Sequence, residues 1–345
     1  MKRIQLVLWS VAALQAMAVV ACDDDSEQWA GDGLGGQGTG GQQGTGGQGP
    51  TAGFGGAGTG AGGGGGAMLP SEGTPPGSTN PMAPAPPVGS APTHASASSQ
   101  GTFTFQSYPS PPSDLHDYAT IFHPDGPGPF GVVAIAAGWT EDPLDGWGKF
   151  LASHGFIAIT YHPPDTADAT TVRADQLMEA LDIVVAEGAA GKPLAGRVDG
   201  TRLALLGHSL GGGGALWAAK LYGERLRANV SLTPCASEDC AFFPPVPPTF
   251  PEIEIPTLIM AADTDNFASA DACGWPYYMS LTNATHRMYA EFAGSDHFVA
   301  NDPGVNGTAG RYVLSWLQRY MNDDVRYEQF LVNDPMFSRF DATPL

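Results

Sequence analysis

Basic residues are scarce in this chain: 15 Lys and Arg face 35 Asp and Glu among 345 residues, a formal net charge of −20. Binding to nucleic acid rests on clustered cations that neutralise phosphates, so the composition excludes a nucleic-acid partner. Long apolar runs are lacking as well. The one that stands out, Ile4 to Val20, follows Lys2 and Arg3 and is too short and too early for an ordinary membrane span. Between Asp23 and Gln100 apolar side chains are too sparse to offset the entropy of ordering the backbone. The recurring G-T-G-G-Q units there have a period far below the roughly 20 to 50 residues of solenoid repeats, which excludes that architecture.

What is present at the start reads as an export signal. Residues 1–21 have the charged opening and apolar middle of a signal peptide. Val19-Val20-Ala21-Cys22 has the form of a bacterial lipobox, in which the cysteine is lipidated and becomes the new N-terminus. The expectation is an exported protein held to a membrane by a lipid on Cys22, or released if cleavage near Ala21 or Cys22 is simple. Residues 22–100 are expected to be a disordered tether, flexible where Gly-rich and more extended from Pro75 to Pro92. Residues 101–345 suffice for one domain, expected to be a monomer.

Within that domain, short apolar runs alternate with amphipathic helices, the pattern of an α/β fold with a mostly parallel, doubly wound sheet flanked by helices. Strands are predicted at Tyr118–Phe122, Gly131–Ala136, Phe156–Tyr161, Leu203–Leu206, Ala228–Leu232, Thr257–Ala261 and Met288–Phe292. Helices are predicted at Val172–Glu187 and Gly310–Met321, where Leu177, Leu181 and Val184, then Val313, Trp316 and Leu317, mark the buried faces. Gly207-His208-Ser209-Leu210-Gly211 sits between the Leu203–Leu206 run and a small-residue, helix-forming stretch from Gly212. A G-x-S-x-G turn between a strand and a helix is a nucleophile elbow. The rival phosphate-binding reading lacks a Lys-Ser/Thr ending and an acidic residue at dinucleotide-fold spacing.

A serine hydroxyl needs a base to take its proton and an acid to orient that base. Both follow in chain order. Asp263 and Asp265 come after the Thr257–Ala261 strand, and His297 follows the Met288–Phe292 strand. Asp265 is the favoured acid, with Asp263 as a loop-capping carboxylate and Asp296 as a solvated turn residue. His286 precedes its strand and lies at the wrong edge. His208 is expected to shape the pocket floor, and His123, His154 and His162 to lie in loops or at the surface.

From Phe103 to Arg326 the chain resembles the bacterial cutinase-type polyester hydrolases, a group of lidless α/β-hydrolases. The resemblance is carried by Ala134-Ile135-Ala136-Ala137-Gly138-Trp139-Thr140, Leu151-Ala152-Ser153-His154-Gly155-Phe156, Gly196-Arg197-Val198-Asp199 and Gly207 to Gly214. It continues through Pro256-Thr257-Leu258-Ile259, Asp265, Gly294-Ser295-Asp296-His297 and Tyr320 to Tyr327. It implies Ser209, Asp265 and His297 as a catalytic triad acting on carboxylic esters, with no metal and no organic cofactor. It also implies an oxyanion hole from the backbone N–H groups of Trp139 and Leu210, and contacts to substrate from Trp139, His208 and Phe267. Cys235 stands where the family places a cleft tryptophan. The domain holds Cys235, Cys240 and Cys273, an odd number for an oxidising compartment. By the same alignment, Cys273 is expected to pair with Cys235 or Cys240. Polyester, lipid esters and small esters all remain possible substrates.

Overall fold

The computed structural model describes residues 90–139, 141–236 and 247–344. The signal-peptide, Cys22 and most of the tether expectations fall outside the described residues, as does Cys240. Among the described residues, no helix is long and apolar enough to cross a membrane.

Among the described residues, nine strands form one mixed sheet in the order β1-β2-β4-β3-β5-β6-β7-β8-β9. Six of them run parallel: β4 (Ile157–His162), β3 (Phe130–Ala136), β5 (Val198–His208), β6 (Ala228–Leu232), β7 (Thr257–Ala262) and β8 (Arg287–Phe292). The antiparallel strands β1 (Phe105–Pro109), β2 (Tyr118–Pro124) and β9 (Phe337–Ala342) complete its two sides. The parallel strands are apolar along nearly their whole length because helices cover both faces. Residues alternate between those faces along each strand. Val133 and Ile135 pack under α2 (Asp145–Ser153) and α6 (Gly307–Met321), with Trp147 and Trp316. Val132 and Ala134 pack under α3 (Thr170–Glu187) and α4 (Leu210–Tyr222), with Leu177, Leu181 and Val184. This is the mostly parallel, doubly wound sheet that the strand and helix pattern predicts, and it is consistent with the α/β-hydrolase fold that the resemblance implies.

The chain leaves β3 for β4 on one side and returns to β5 on the other. That reversal opens a crevice beyond the carboxyl ends of β3 and β5, where open α/β sheets bind ligands. The loops after β3, β5, β7 and β8 gather at this edge.

Two expectations need correction here. Order begins before residue 101: His94–Ala97 form a one-turn helix, α1, capped by Thr93, whose side chain and that of Ser96 bond each other's backbone N–H. The turn is anchored by contact with α6 and its surroundings, since His94 packs edge-on against Phe330 at 5.0 Å and meets Arg311 at 3.1 Å. Its polar composition gave no hint of that docking. His123, expected in a loop or at the surface, is buried within β2 and hydrogen-bonded with Arg197.

Candidate active site

Ser209 has φ 54 and ψ −119, a strained backbone conformation at the junction of β5 and α4. Its N–H bonds Leu232 O, and its own carbonyl accepts from Gly213 and Cys235 N–H. The turn is therefore pinned on both sides. Gly207 has no side chain to spare, because a Cβ there would overlap the Gly211 carbonyl. Leu210, the first residue of α4, has no intrahelical acceptor for its N–H. Trp139, half-buried, follows Gly138 in the loop after β3. A Cβ on Gly138 would stand 2.8 Å from Ser209 Cβ, so that loop passes directly against the serine.

Asp265 and His297 meet in the loops after β7 and β8. His297 Nδ1 donates to Asp265 Oδ2 at 2.7 Å, and Asp265 Oδ1 accepts the Phe267 and Ala268 N–H groups at 2.8 and 2.9 Å. Burial alone would raise the Asp265 pKa, but the His297 bond and charge and these two N–H groups hold it below the usual carboxylate value. The His297 pKa is lowered, first by burial and then by the nearby His208 charge, against the pull of Asp265. Asp263 accepts the Ser295 N–H, and Thr264 Oγ1 donates to Ser295 O, stitching the two loops together. Asp296 accepts the N–H of Phe298 in its own turn and stays exposed.

The elbow reaches the His297 loop through its second residue. His208 is wholly buried, its ring centroid 4.7 Å from that of His297, and its Nε2 donates to His297 O at 2.9 Å. Thr233 Oγ1 donates to the same carbonyl at 2.9 Å. Phe267 lies 5.3 Å from His297, and Phe298, which is 41% exposed, lies 6.1 Å from Phe267. Phe298 and Glu141 belong to this cluster although the sequence reading passed over both. Adjacency to His297 was an available signal for Phe298. Nothing in one sequence marks Glu141, whose contacts come from its own loop, the end of β5 and the loop after β8.

Cys235 and Cys273 are both wholly buried in an apolar cluster with Leu210, Phe250 and Tyr277. Cys235 and Cys273 are not bonded to each other, and the alternative pairing of Cys273 with Cys240 lies outside the described residues. Burial pushes the Cys273 pKa up to about 11, against a hydrogen bond to Tyr277. In such surroundings cysteine packs as a small apolar residue, and a thiol so hard to ionise is a poor nucleophile.

A family profile described as PET hydrolase-like matches residues 79–343. A bis(hydroxyethyl) terephthalate hydrolase of Streptomyces coelicolor is 38% identical over 216 residues, which cover 61% of this chain and 64% of that protein. The chain thus spans a little under two thirds of that relative. A cutinase of Thermobifida alba is 35% identical over 63% of this chain and 68% of its own length. Another, from Thermobifida cellulosilytica, is 36% identical over 63% of this chain and 78% of its own. With nearly the whole described chain under one profile, and a serine elbow beside a buried Asp–His pair at the switch point of its sheet, the protein belongs to the PET hydrolase-like family.

Proposed function

We propose that the chain is an exported serine ester hydrolase that cleaves carboxylic esters of polyester type by two-step acyl transfer. What supports the reading is Ser209 on a strained elbow whose preceding residue, His208, packs against His297, itself joined to the buried Asp265 at 2.7 Å. His297 Nε2 takes the Ser209 proton as Oγ attacks the ester carbonyl, and the Nδ1–H bond to Asp265 steadies the imidazolium that forms. The negative charge on the former carbonyl oxygen is met by the N–H groups of Leu210 and Trp139. His297 passes its proton to the departing alcohol, leaving an acyl group on Ser209. Water, deprotonated by His297, then attacks the acyl carbon and releases the acid. Trp139, Phe267 and Phe298 supply aromatic faces at the rim, suited to the flat or alkyl parts of a polymer repeat.

Export follows the reading of residues 1–21, and a lipid on Cys22 would keep the enzyme at the cell envelope. A second reading, turnover of small soluble esters alone, has one observation in its favour: Cys235 is buried and offers the cleft no aromatic face. The test is hydrolysis of p-nitrophenyl butyrate, triglyceride and polyester film by the wild-type chain and by Ser209→Ala. Soluble products from the polyester film should vanish in Ser209→Ala, with its p-nitrophenyl activity down by about 10³-fold or more. Retention of most activity by Ser209→Ala refutes the mechanism; wild-type activity on p-nitrophenyl esters alone refutes the polymer substrate.

A further inference from the structure

Glu141 lies three residues past Gly138 in the loop after β3. Its Oε2 accepts the Gly138 N–H and faces His208 Nδ1 at 2.7 Å, while its Oε1 accepts Asn301 Nδ2 at 2.6 Å. On the far side of the His208 ring, Nε2 stands 2.9 Å from His297 O. A carbonyl oxygen only accepts, so Nε2 bears a hydrogen. Glu141 Oε2 already accepts from Gly138, and an ionised carboxylate there requires a hydrogen on Nδ1 too. His208 is then an imidazolium. The titration directions agree with this. Burial would raise the Glu141 pKa, yet the His208 charge and bond, with Gly138 and Asn301, hold it down to about 2. Burial would lower that of His208, yet Glu141 and the His297 carbonyl raise it.

We propose that Glu141 and His208 are positioning residues: a buried carboxylate–imidazolium pair that ties the loop bearing Trp139 to the loop bearing His297, setting oxyanion donor and general base as one unit. The proposal rests on the ester-hydrolase reading above. Glu141 fixes the Gly138 peptide immediately before the Trp139 N–H, and His208 and Asn301 carry the connection to the His297 loop at two points, the His297 carbonyl and the Asn301 amide. Stability is a poor account of such a pair, because desolvating two charges offsets most of their attraction. Geometry is a better one, since misplacing a reacting group by about 1 Å can cost about 100-fold in rate.

The pair also acts on the base through its charge. The titratable groups facing His297 are Asp265 on the loop after β7, His208 on the elbow and Glu141 on the loop after β3. Removing the His208 cation leaves two carboxylates beside His297, which must then hold its proton to higher pH. His208→Asn should therefore move the acid limb of kcat/KM upward by about one unit and lower kcat, with KM little changed.

Glu141→Gln removes charge with few lost contacts, because Asn301 Oδ1 is buried without a partner and a turned Asn301 amide could accept from the new Nε2. It should lower kcat by about 10- to 100-fold. The double variant should cost no more than the worse single one, as expected of residues acting as a unit. A direct readout uses the Ser209→Ala protein with ¹⁵N-labelled histidine: both ring nitrogens of His208 should be protonated at pH 8. Lowered Tm with kcat and acid limb unmoved, or a neutral His208 ring, overturns the proposal. If Glu141→Gln does not fold, the His208→Asn acid limb and the nitrogen spectrum decide alone. Wild-type activity that survives Ser209→Ala sinks the ester-hydrolase reading instead, so the two failures are distinguishable.

Discussion

Asp265 holds a position in which a change of one atom should be felt strongly. Its two oxygens do different work: Oδ2 takes the His297 Nδ1–H, while Oδ1 is fixed by the N–H groups of Phe267 and Ala268. Asp265→Asn preserves volume but can present an NH₂ to His297, favouring the tautomer with its hydrogen on Nε2, which cannot accept from Ser209. Esterase kcat should fall by about 10³- to 10⁴-fold with the Tm nearly unchanged; a loss below tenfold in a folded protein would assign the orienting role elsewhere. The residues of the proposed triad were legible where chemistry constrains order along the chain. Ser209, then Asp265, then His297 follow an elbow, a strand-end acid and a strand-end base. Glu141 was not legible, because its role depends on its own loop, the end of β5 and the loop after β8 being brought together, and an isolated acid in a loop reads as solvated. Cys235 and Cys273 show a related limit: cysteine count and compartment allow a bridge between them, whereas both pack, not bonded to each other, in the apolar cluster around Tyr277.

Elements buried on both faces announce themselves in sequence; elements at the margins do not. All seven strands read as apolar runs lie in the sheet, six of them parallel and the seventh, β2, antiparallel beside β4. The missed strands, β1 and β9, are the outermost two, where exposed positions admit Gln106, Ser107, Ser338 and Asp341 and break the apolar signal. The smallest helix, α1, was missed because its order comes from docking. Ala97 is buried, His94 meets Phe330 and Arg311, Ser99 O meets the His154 ring, and Gly101 N–H bonds Ser153 Oγ. These contacts make residues 90–101 part of the folded body. A chain beginning at Thr102 should therefore melt about 4 to 8 °C below one beginning at Ser90, equivalent to a loss of about 2 kcal/mol in a domain of this size. Equal Tm values in differential scanning calorimetry would return this segment to the tether.

For the molecule as a whole, stability against pH should form a plateau with defined edges. His116, His123, His154 and His297 all have pKa values below the ordinary 6.5, burial being the first cause at each. In the unfolded chain these rings take up protons near pH 6.5, while in the folded one they resist until lower pH. Across that interval the unfolded state binds more protons, so stability rises with pH and is lost on acidification. Asp265 and Glu141 act in the same sense further down, contributing above their unfolded values and losing that contribution as pH falls through the folded ones, about 2 for Glu141. His208 runs opposite, with a raised pKa whose stabilisation is full below 6.5 and fades as pH rises through the folded value, but it is one ring against five, His286 being lowered by burial as well. At the alkaline edge, burial raises Tyr161, Tyr277 and Tyr289 above 10.0, so the unfolded tyrosines ionise first and stability falls beyond that pH. Self-repulsion from a net charge of −20 eases on acidification and would favour the folded state. Exposed charges are screened over about 8 Å at 0.15 M salt, whereas the buried rings are not. The Tm measured by calorimetry at that salt should stay nearly level from about pH 7 to 10 and decline on both sides. A Tm that keeps rising from pH 7 down to pH 5 would mean that surface repulsion, and not the buried histidines, governs the acid edge.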